Sequence, residues 1–278
     1  MASKTDGWAM SGKLWHWDGQ TWKSVPSPAD VFQAIAILSP TDAWAVGYSY
    51  WHWDGVTWEI KGPTDITDTD LKLGVAMASS TDGWAVGGGA PYEEPVGKIY
   101  YWNGNTWSTM TNTFSSTLRS VAMVSSTDGW AVGDNGIILH WNGNDWLDVT
   151  GPVSYTLRSV RMASADNGWA VGDGGILHWD GSNWTEIYSG GMPGSVVVNS
   201  SDDAWGVGYG TISHWDGSSW TAVNAPIGFY SLTGVSMISP EEGWAVGAYG
   251  AILHYRGVPN NYPYKTYFPL NAQRACIR

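Results

Sequence analysis

One repeat of this chain is seen most clearly in residues 118–150, which read LRSVAMVSSTDGWAVGDNGIILHWNGNDWLDVT. Four short apolar and aromatic runs alternate there with three turns, at 125–129, 134–136 and 142–144. Asn-Gly and Asp-Gly sequences favour tight hairpins because both residue types tolerate positive φ. The segment therefore predicts four antiparallel strands, A to D, at 118–124, from 130 onward, at 137–141 and at 146–149.

The Trp of this repeat recurs seven times along the chain. Its setting is Gly-Trp-Ala-Val-Gly or a close variant, at spacings of 36, 40, 46, 39, 36 and 39 residues. Repeats of about 40 residues with several short strands each are typical of propeller blades. The chain is therefore predicted to be all-β, a single seven-bladed β-propeller domain over residues 1–278 with four-stranded antiparallel blades. The seven anchors are Trp8, Trp44, Trp84, Trp130, Trp169, Trp205 and Trp244.

All 21 Trp residues fall at only four positions of the repeat. Besides the seven anchors, six follow the His position of strand C, six begin strand D and two precede a His. An aromatic residue repeated in nearly every blade predicts packing between neighbouring blades. Truncation of one such buried ring should cost about 3–5 kcal/mol.

Blade 1 has no inner strand of its own at the N terminus, because only seven residues precede Trp8. Written head to tail, the termini read Ala-Cys-Ile-Arg followed by Met-Ala-Ser, and residues 161–164 read Arg-Met-Ala-Ser in the same register. The C-terminal segment, at about 273–278, is therefore predicted to supply the inner strand of blade 1. Such closure removes the open sheet edges between the first and last blades.

The six His residues occupy one position of strand C, and Tyr101 takes that position in the remaining blade. Strands within a sheet lie about 4.8 Å apart, so equivalent His residues of neighbouring blades should be about 10 Å apart or more. A metal site needs its ligands within about 2 Å of one ion. We therefore expect each His to bond a turn of its own blade, with no metal or cofactor. They are His16, His52, His140, His178, His214 and His254.

The composition narrows the possible partners. Charged residues make up 14% of the chain, and the net charge is −12 with only 13 Lys plus Arg. Nucleic-acid binding needs clustered cations, so no nucleic acid is expected. No apolar run approaches membrane-spanning length, so no membrane insertion is expected. A neutral-polar surface rich in Ser, Thr, Asn and Gly suits an extracellular or cell-surface protein, and we expect a monomer.

The repeats differ from one another mainly in two of their connections. The A–B and C–D turns are short and nearly uniform, and we call the end that carries them the plain end. The B–C and D–A connections vary and share the opposite end, the loop-bearing end. Loops on a rigid scaffold often carry binding sites, although aromatic residues there can also simply pin the loops down. The candidate ligand-binding residues are Tyr48, Tyr50, Tyr92, Glu93, Glu94, Arg119, Tyr155 and Arg158.

The segment GWAVGDNGIILH at 129–140 resembles the repeat of the Ycf48-like family, the photosystem II assembly factors and their bacterial relatives. The same motif recurs at 168–178 and 243–254, and in weaker form in the other blades. This resemblance implies a propeller that takes part in protein binding or assembly. The turn Asp-Gly-Gln-Thr-Trp at 18–22 is also similar to the Asp-box of sialidases and related propellers, where the carboxylate accepts turn amides.

These observations favour a non-enzymatic scaffold that binds a protein partner through its loop-bearing end. A lectin-type carbohydrate-binding module is the alternative, because exposed Tyr residues with scattered acids also suit sugar stacking. A glycan-active hydrolase comes third. It needs two carboxyl groups held across one bond, and a sialidase also needs an Arg cluster. The six Arg residues form no recognisable triad, so no enzyme is expected.

Overall fold

A computed structural model describes residues 1, 3–10, 13–26, 31–62, 70–88, 96–149, 151–189, 193–223 and 231–257, with the backbone alone at 193. The chain divides into two compact units, Met1–Val160 and Arg161–Arg278, which are taken in turn. The sequence prediction of a single domain over 1–278 stays a prediction.

Unit 1 contains blades 1 to 4, each an antiparallel sheet of strands that are consecutive in the chain. Blade 1 comprises β1 (Gly7–Met10), β2 (Leu14–Trp17) and β3 (Trp22–Val25). Blade 2 comprises β4 (Ala34–Ser39), β5 (Asp42–Val46), β6 (Tyr50–Trp53) and β7 (Trp58–Ile60). Blade 3 comprises β8 (Leu71–Ser79), β9 (Asp82–Gly88), β10 (Gly97–Trp102) and β11 (Trp107–Thr109). Blade 4 comprises β12 (Leu118–Ser125), β13 (Asp128–Gly133), a 3-10 turn (Asp134–Gly136), β14 (Ile138–Trp141) and β15 (Trp146–Asp148).

The remaining strands form blades 5 to 7, and the boundary between the units falls within the first strand of blade 5. Blade 5 comprises β16 (Leu157–Ser164), β17 (Asn167–Gly172), β18 (Gly175–Trp179) and β19 (Trp184–Ser189). Blade 6 comprises β20 (Pro193–Ser200), β21 (Asp203–Gly208), β22 (Thr211–Trp215) and β23 (Trp220–Ala222). Blade 7 comprises β24 (Leu232–Ser239), β25 (Glu242–Gly247), a 3-10 turn (Ala248–Gly250) and β26 (Ala251–Arg256).

Seven antiparallel sheets with one shared strand order make the chain a seven-bladed β-propeller, as the Trp spacing predicts. Within the described residues, blades 2 to 6 have four strands, and blades 1 and 7 have three. In blade 4 the strands begin and end within two residues of the predicted bounds. The largest difference is at β13, which begins at Asp128 because that residue pairs with Ser125 and leaves a two-residue hairpin turn.

The plain end is made of two turns that recur from blade to blade. In the C–D turns, one Asp or Asn Oδ1 accepts the backbone amides two and three residues further on, at 2.8–3.0 Å. The Gly that follows has φ between +87° and +96°, a conformation that side chains disfavour. Such bonds favour the charged form of an aspartate. In blade 6, hydrogen bonds from the Ser218 hydroxyl and from the amides of Ser219 and Ser218 lower the pKa of Asp216 to about 2. The residues are Asp18, Asp54, Asn103, Asn142, Asp180 and Asp216.

The glycine of the Gly-Trp pair makes room for a methionine of strand A. A Cβ added at Gly129 would lie 2.4 Å from Met123 Sδ. In blade 1 a Cβ at Gly7 would lie 2.1 Å from Met1 Sδ, so Met1 takes the strand A methionine position there. This placement matches the register read from the joined termini. The predicted closing strand at 273–278 lies outside the described residues.

The Trp anchors of blades 1, 2, 3, 5 and 6 pack against the next blade. Trp84 of blade 3 lies 4.6 Å from the Tyr101 ring of its own blade and 4.6 Å from Trp141 of blade 4. The Trp146 ring meets it edge-on at 5.4 Å with an interplanar angle of 83°. Such edge-to-face contacts are favoured by the aromatic quadrupole. The same three contacts surround Trp8 and Trp44 in unit 1 and Trp169 in unit 2.

Candidate functional site

The His residues of strand C lie at the plain end of their own blades. In five of the six, the Nε2 atom bonds the carboxylate two residues before the Trp anchor, as in the 2.8 Å contact between His140 and Asp128. The imidazole also stacks on that anchor, with ring centroids of Trp130 and His140 4.3 Å apart. This bond and stack hold strand C against the A–B turn. The five pairs are His16–Asp6, His52–Asp42, His140–Asp128, His214–Asp203 and His254–Glu242.

Blade 5 differs, because Asn167 stands where the other blades have the carboxylate. The Asn167 Oδ1 atom is buried and has no hydrogen-bond partner among the described residues. Burial lowers the pKa of His178, and Asp180 opposes the shift only partly. As the pH falls through about 6.5, the imidazole of His178 is therefore protonated in the unfolded chain before it is protonated in the folded protein. His178 consequently contributes stability that is present above that pH and is lost below it.

Asn167→Asp is expected to raise the pKa of His178, because a carboxylate placed beside the imidazole favours its charged form. The measurement is an NMR titration of the His Cε1 protons in both proteins. Glu242→Gln is the matched control, since Glu242 raises the pKa of His254 against burial and Arg256. That control should lower the pKa of His254 further. An unchanged pKa of His178 in Asn167→Asp would mean that position 167 is not equivalent to the position of the carboxylate in the other blades.

The loop-bearing end of unit 1 contains a buried lysine. Lys72 pairs with Gly87 as Leu118 pairs with Gly133 in blade 4, so Lys72 and Leu118 occupy equivalent positions of the repeat. Leu118 is fully buried, and so is Leu157 of blade 5. Lys72 has the same 0% exposure, so a charged side chain occupies a position that is leucine in blades 4, 5 and 7 and is Phe32 and Pro193 in blades 2 and 6. Burial of a charge is costly unless hydrogen bonds and counter-charges compensate for it.

The partners of Lys72 form a polar cluster between blades 2 and 3. Lys72 Nζ donates to the carbonyl oxygens of Tyr48 and Asp70, both at 3.0 Å. It lies 4.8 Å from the Tyr50 ring centroid and 5.1 Å from that of Tyr100, within the range of cation–π attraction. Asp70 Oδ2 accepts bonds from Lys98 Nζ at 2.5 Å and from the Tyr100 hydroxyl at 3.0 Å. We call Asp70, Lys72, Lys98 and Tyr100 the Lys72 cluster.

Tyr50 is buried, contrary to the expectation that the loop tyrosines are exposed, and its assignment as a ligand-binding residue stays a prediction. Its side chain is 2% exposed, and its ring stacks on Trp107 at 4.6 Å with an interplanar angle of 15°. The reason is that β6 begins at Tyr50, opposite Val46, so the residue belongs to a core strand and not to the preceding turn. Tyr48 lies within that turn and is exposed.

Arg119 is held by an acid of the next turn of its own blade. Its guanidinium makes a bidentate pair with Asp134, through Nε to Oδ1 and through Nη2 to Oδ2 at 2.9 Å. The Thr156 hydroxyl donates to Asp134 Oδ1 at 3.1 Å, which ties the start of blade 5 to the same carboxylate. Arg158 is exposed and Tyr155 is half-buried. The remaining candidates, Tyr92, Glu93 and Glu94, lie outside the described residues.

The structure thus joins Tyr48 to the Lys72 cluster and Arg119 to Asp134, whereas no described contact joins these two groups. Sequence reasoning missed Lys72 and Lys98. The signal was present, since Lys72 is a charged residue at an otherwise apolar position of strand A.

Three observations on the described residues bear on metal, small-molecule and membrane binding. They include no group of three His, Cys, Asp or Glu side chains placed to hold a metal ion. One apolar cavity of about 30 Å³ lies in unit 2 among Trp205, Val235 and Leu253, well below the roughly 300 Å³ of a small ligand site. In the described part of the chain, no helix has the length and apolar character needed to cross a bilayer.

The class of protein is therefore a seven-bladed β-propeller with an elaborated loop-bearing end. A structure of YCF48 bound to D1 peptide is similar to the chain, with a TM-score of 0.72, 18% identity, and coverage of 93% of this chain and 92% of that one. YCF48 from Cyanidioschyzon merolae is also similar, with a TM-score of 0.64, 19% identity and coverage of 85% of each chain. The resemblance stated from the repeat is thus supported at the level of the fold.

More distant propellers also match. The WD40 repeats of RRP9 superpose with a TM-score of 0.65 and 10% identity, covering 83% of this chain and 78% of that one. No protein-family model and no curated protein sequence matches the chain.

Proposed function

We propose that this chain is a non-enzymatic scaffold that binds a polypeptide partner through its loop-bearing end. The observation that carries the proposal is the Lys72 cluster. A buried Lys at a position that is apolar in the other blades with a described strand A breaks the pattern of the repeat, and such local exceptions are expected at functional sites. At the plain end, by contrast, the same turns recur in nearly every blade.

The geometry of unit 1 suits recognition of a polypeptide. Lys98 and Arg119 are only partly exposed, and each is oriented by a carboxylate, Asp70 or Asp134. Side chains that are already ordered lose little freedom on binding, which favours affinity. Tyr and Arg are also enriched among the residues that dominate binding energy at protein interfaces. Tyr48 and Arg158 add exposed groups of these two types.

The similar structures support this reading. One of them is YCF48 with a bound D1 peptide, so a propeller of this fold can hold a polypeptide segment. The D1 peptide itself is not proposed as the partner of this chain, because 18% identity reaches only the fold.

Selection of a bead-bound random peptide library on the full chain tests the proposal. We expect selected peptides to bind the double variant Lys98→Ala/Arg158→Ala about tenfold more weakly or worse, since interface cations and their contacts are lost. The matched control is Lys4→Ala/Lys23→Ala, which removes the same charge from the plain end. Weakening in the control with none in the loop-end variant would contradict the proposed end. A glycan array run in parallel tests the lectin-type alternative, and saturable sugar binding with an empty peptide selection would favour it.

We also propose that the protein acts as a monomer in an extracellular or cell-surface setting. The support is compositional, from the low fraction of charged residues and the neutral-polar surface. Light scattering of the purified chain and surface labelling of intact source cells are the corresponding measurements.

A further inference from the structure

We propose that β19, the last strand of blade 5, binds an extended segment of a partner protein as an added strand. This goes beyond the proposed function, because the surface is the edge of one blade and not the loop-bearing end. β19 begins after the C–D turn of the plain end. Within the described residues its sheet gives it one neighbouring strand, β18.

β19 is longer than the last strand of the other four-stranded blades. The corresponding strand has three residues in blades 2, 3, 4 and 6, whereas β19 has six. The five residues from Thr185 to Ser189 are all exposed. Natural proteins commonly keep edge strands short, because a long row of main-chain N–H and C=O groups can pair with another chain. Blade 5 differs from blades 2, 3, 4 and 6 in lacking this protection.

The pairing with β18 holds β19 in strand conformation to its last residue. It continues to Gly175 and Ser189, the first residue of β18 and the last of β19. A register shift opposite Ile176 and Leu177 leaves Ile187 as an extra residue, a β-bulge. Bulges occur at sheet edges and beside binding sites, where they re-aim a side chain and increase the twist. An added strand has to follow that twist, which a single flexible segment does more easily than the edge of a preformed sheet.

The side chains of β19 suit a neighbouring strand. Thr, Ile and Tyr are residue types that favour strands, and they stand at Thr185, Ile187 and Tyr188. Ile187 is 41% exposed and Tyr188 is 44% exposed, so two large consecutive side chains of this strand remain in solvent. Aromatic and β-branched residues on adjacent strands stabilise each other in cross-strand pairs. A partner strand would therefore cover both side chains as well as the main chain.

The edge determines the kind of partner. An extended polypeptide can bond the main-chain groups of an edge strand, whereas a helix already uses its own main-chain groups internally. A second copy of this chain is disfavoured, because each copy has a formal charge of −12 and the two would repel each other. The occupant is therefore an extended segment of another protein, with β-branched or aromatic side chains beside Ile187 and Tyr188.

The test uses the full chain and a synthetic Thr/Val peptide with Lys at both ends. A second peptide has the same sequence with every other amide N-methylated, which keeps the side chains and charges but removes main-chain donors. Calorimetry measures binding, and hydrogen exchange followed by NMR reports on the amides of β19. We expect the first peptide to slow the exchange of β19 amides. The methylated peptide should bind about tenfold more weakly or worse, because it loses several main-chain hydrogen bonds.

Ile187→Asp/Tyr188→Asp should also weaken binding of the first peptide about tenfold, because Asp disfavours strands and removes the cross-strand pairs. Added acids attract the Lys residues of the peptide, so charge repulsion cannot cause this loss. Val56→Asp/Leu147→Asp is the matched control. It makes the same charge change at exposed positions of blades 2 and 4, and it should leave binding of the peptide unchanged.

Slowed exchange in β19 together with weaker binding of the methylated peptide supports the proposal. Equal binding of the two peptides overturns it, because main-chain pairing is then not involved. Fully protected β19 amides before any peptide is added also overturn it, since the edge is then covered within the chain. A dimer in light scattering that Ile187→Asp/Tyr188→Asp dissociates would identify a second copy as the occupant instead. If the first peptide does not bind, this proposal fails, whereas the proposed function is judged separately by Lys98→Ala/Arg158→Ala, neither of which lies on β19.

Discussion

Trp84→Ala is expected to lower the free energy of unfolding by about 3–5 kcal/mol, because it removes a buried indole that two blades share. The Trp84 side chain is 2% exposed and contacts Tyr101, Trp141 and Trp146. The void would lie between blades 3 and 4, where a backbone fixed by strand pairing has little freedom to collapse. Urea unfolding followed by far-UV circular dichroism measures the change.

Two control variants separate packing from the mere loss of a Trp. Trp84→Phe keeps an aromatic ring in the site and should cost clearly less than Trp84→Ala. Val56→Ala changes an exposed side chain and should stay within about 0.5 kcal/mol of the original protein. A loss below about 1 kcal/mol for Trp84→Ala would mean that the blades pack without this ring, contrary to the interpretation of the repeat.

The blade structure was predictable because it is periodic. Trp130, Gly143 and their equivalents recur at the same offsets, so one repeat predicts the strands and turns of the others. The register of blade 1 was predictable for the same reason, and Met1 occupies the expected position against Gly7.

The candidate site was less predictable, because it depends on contacts that do not repeat. Lys72 contacts Tyr48, 24 residues away, and Lys98 contacts Asp70, 28 residues away. No local pattern specifies such pairs. The exposure of Tyr50 was mispredicted because a shift of one residue between a turn and a strand decides which side of the sheet a side chain faces. Arg119 was expected at the loop-bearing end, but its pairing with Asp134 depends on the 3-10 turn, where Asn135 has a positive φ.

Gly133→Ala is expected to destabilise the protein by about 3 kcal/mol, because an added Cβ would collide with fixed backbone. That Cβ would lie 2.0 Å from the carbonyl oxygen of Thr117 and 2.9 Å from Leu118 Cα. The backbone of Gly133 is extended, with φ of −167°, so lack of space and not strain of the dihedral angle is the cause. The same carbonyl accepts the amide of Asp134 at 2.9 Å, so relief of the collision would also disturb the carboxylate that holds Arg119.

Gly194→Ala is the matched control for this collision. It also adds a methyl group to a strand glycine, but the nearest atom to its Cβ is the Leu232 carbonyl oxygen at 3.6 Å, an ordinary contact. Its free energy of unfolding should stay within about 0.5 kcal/mol of the original or rise slightly, because Ala loses less backbone entropy on folding than Gly. The two variants are compared by the same urea titrations. Equal stability of Gly133→Ala and Gly194→Ala would mean that β12 and β13 can move apart at Gly133. The close approach of Thr117 to Gly133 would then not determine the structure of the loop-bearing end of blade 4.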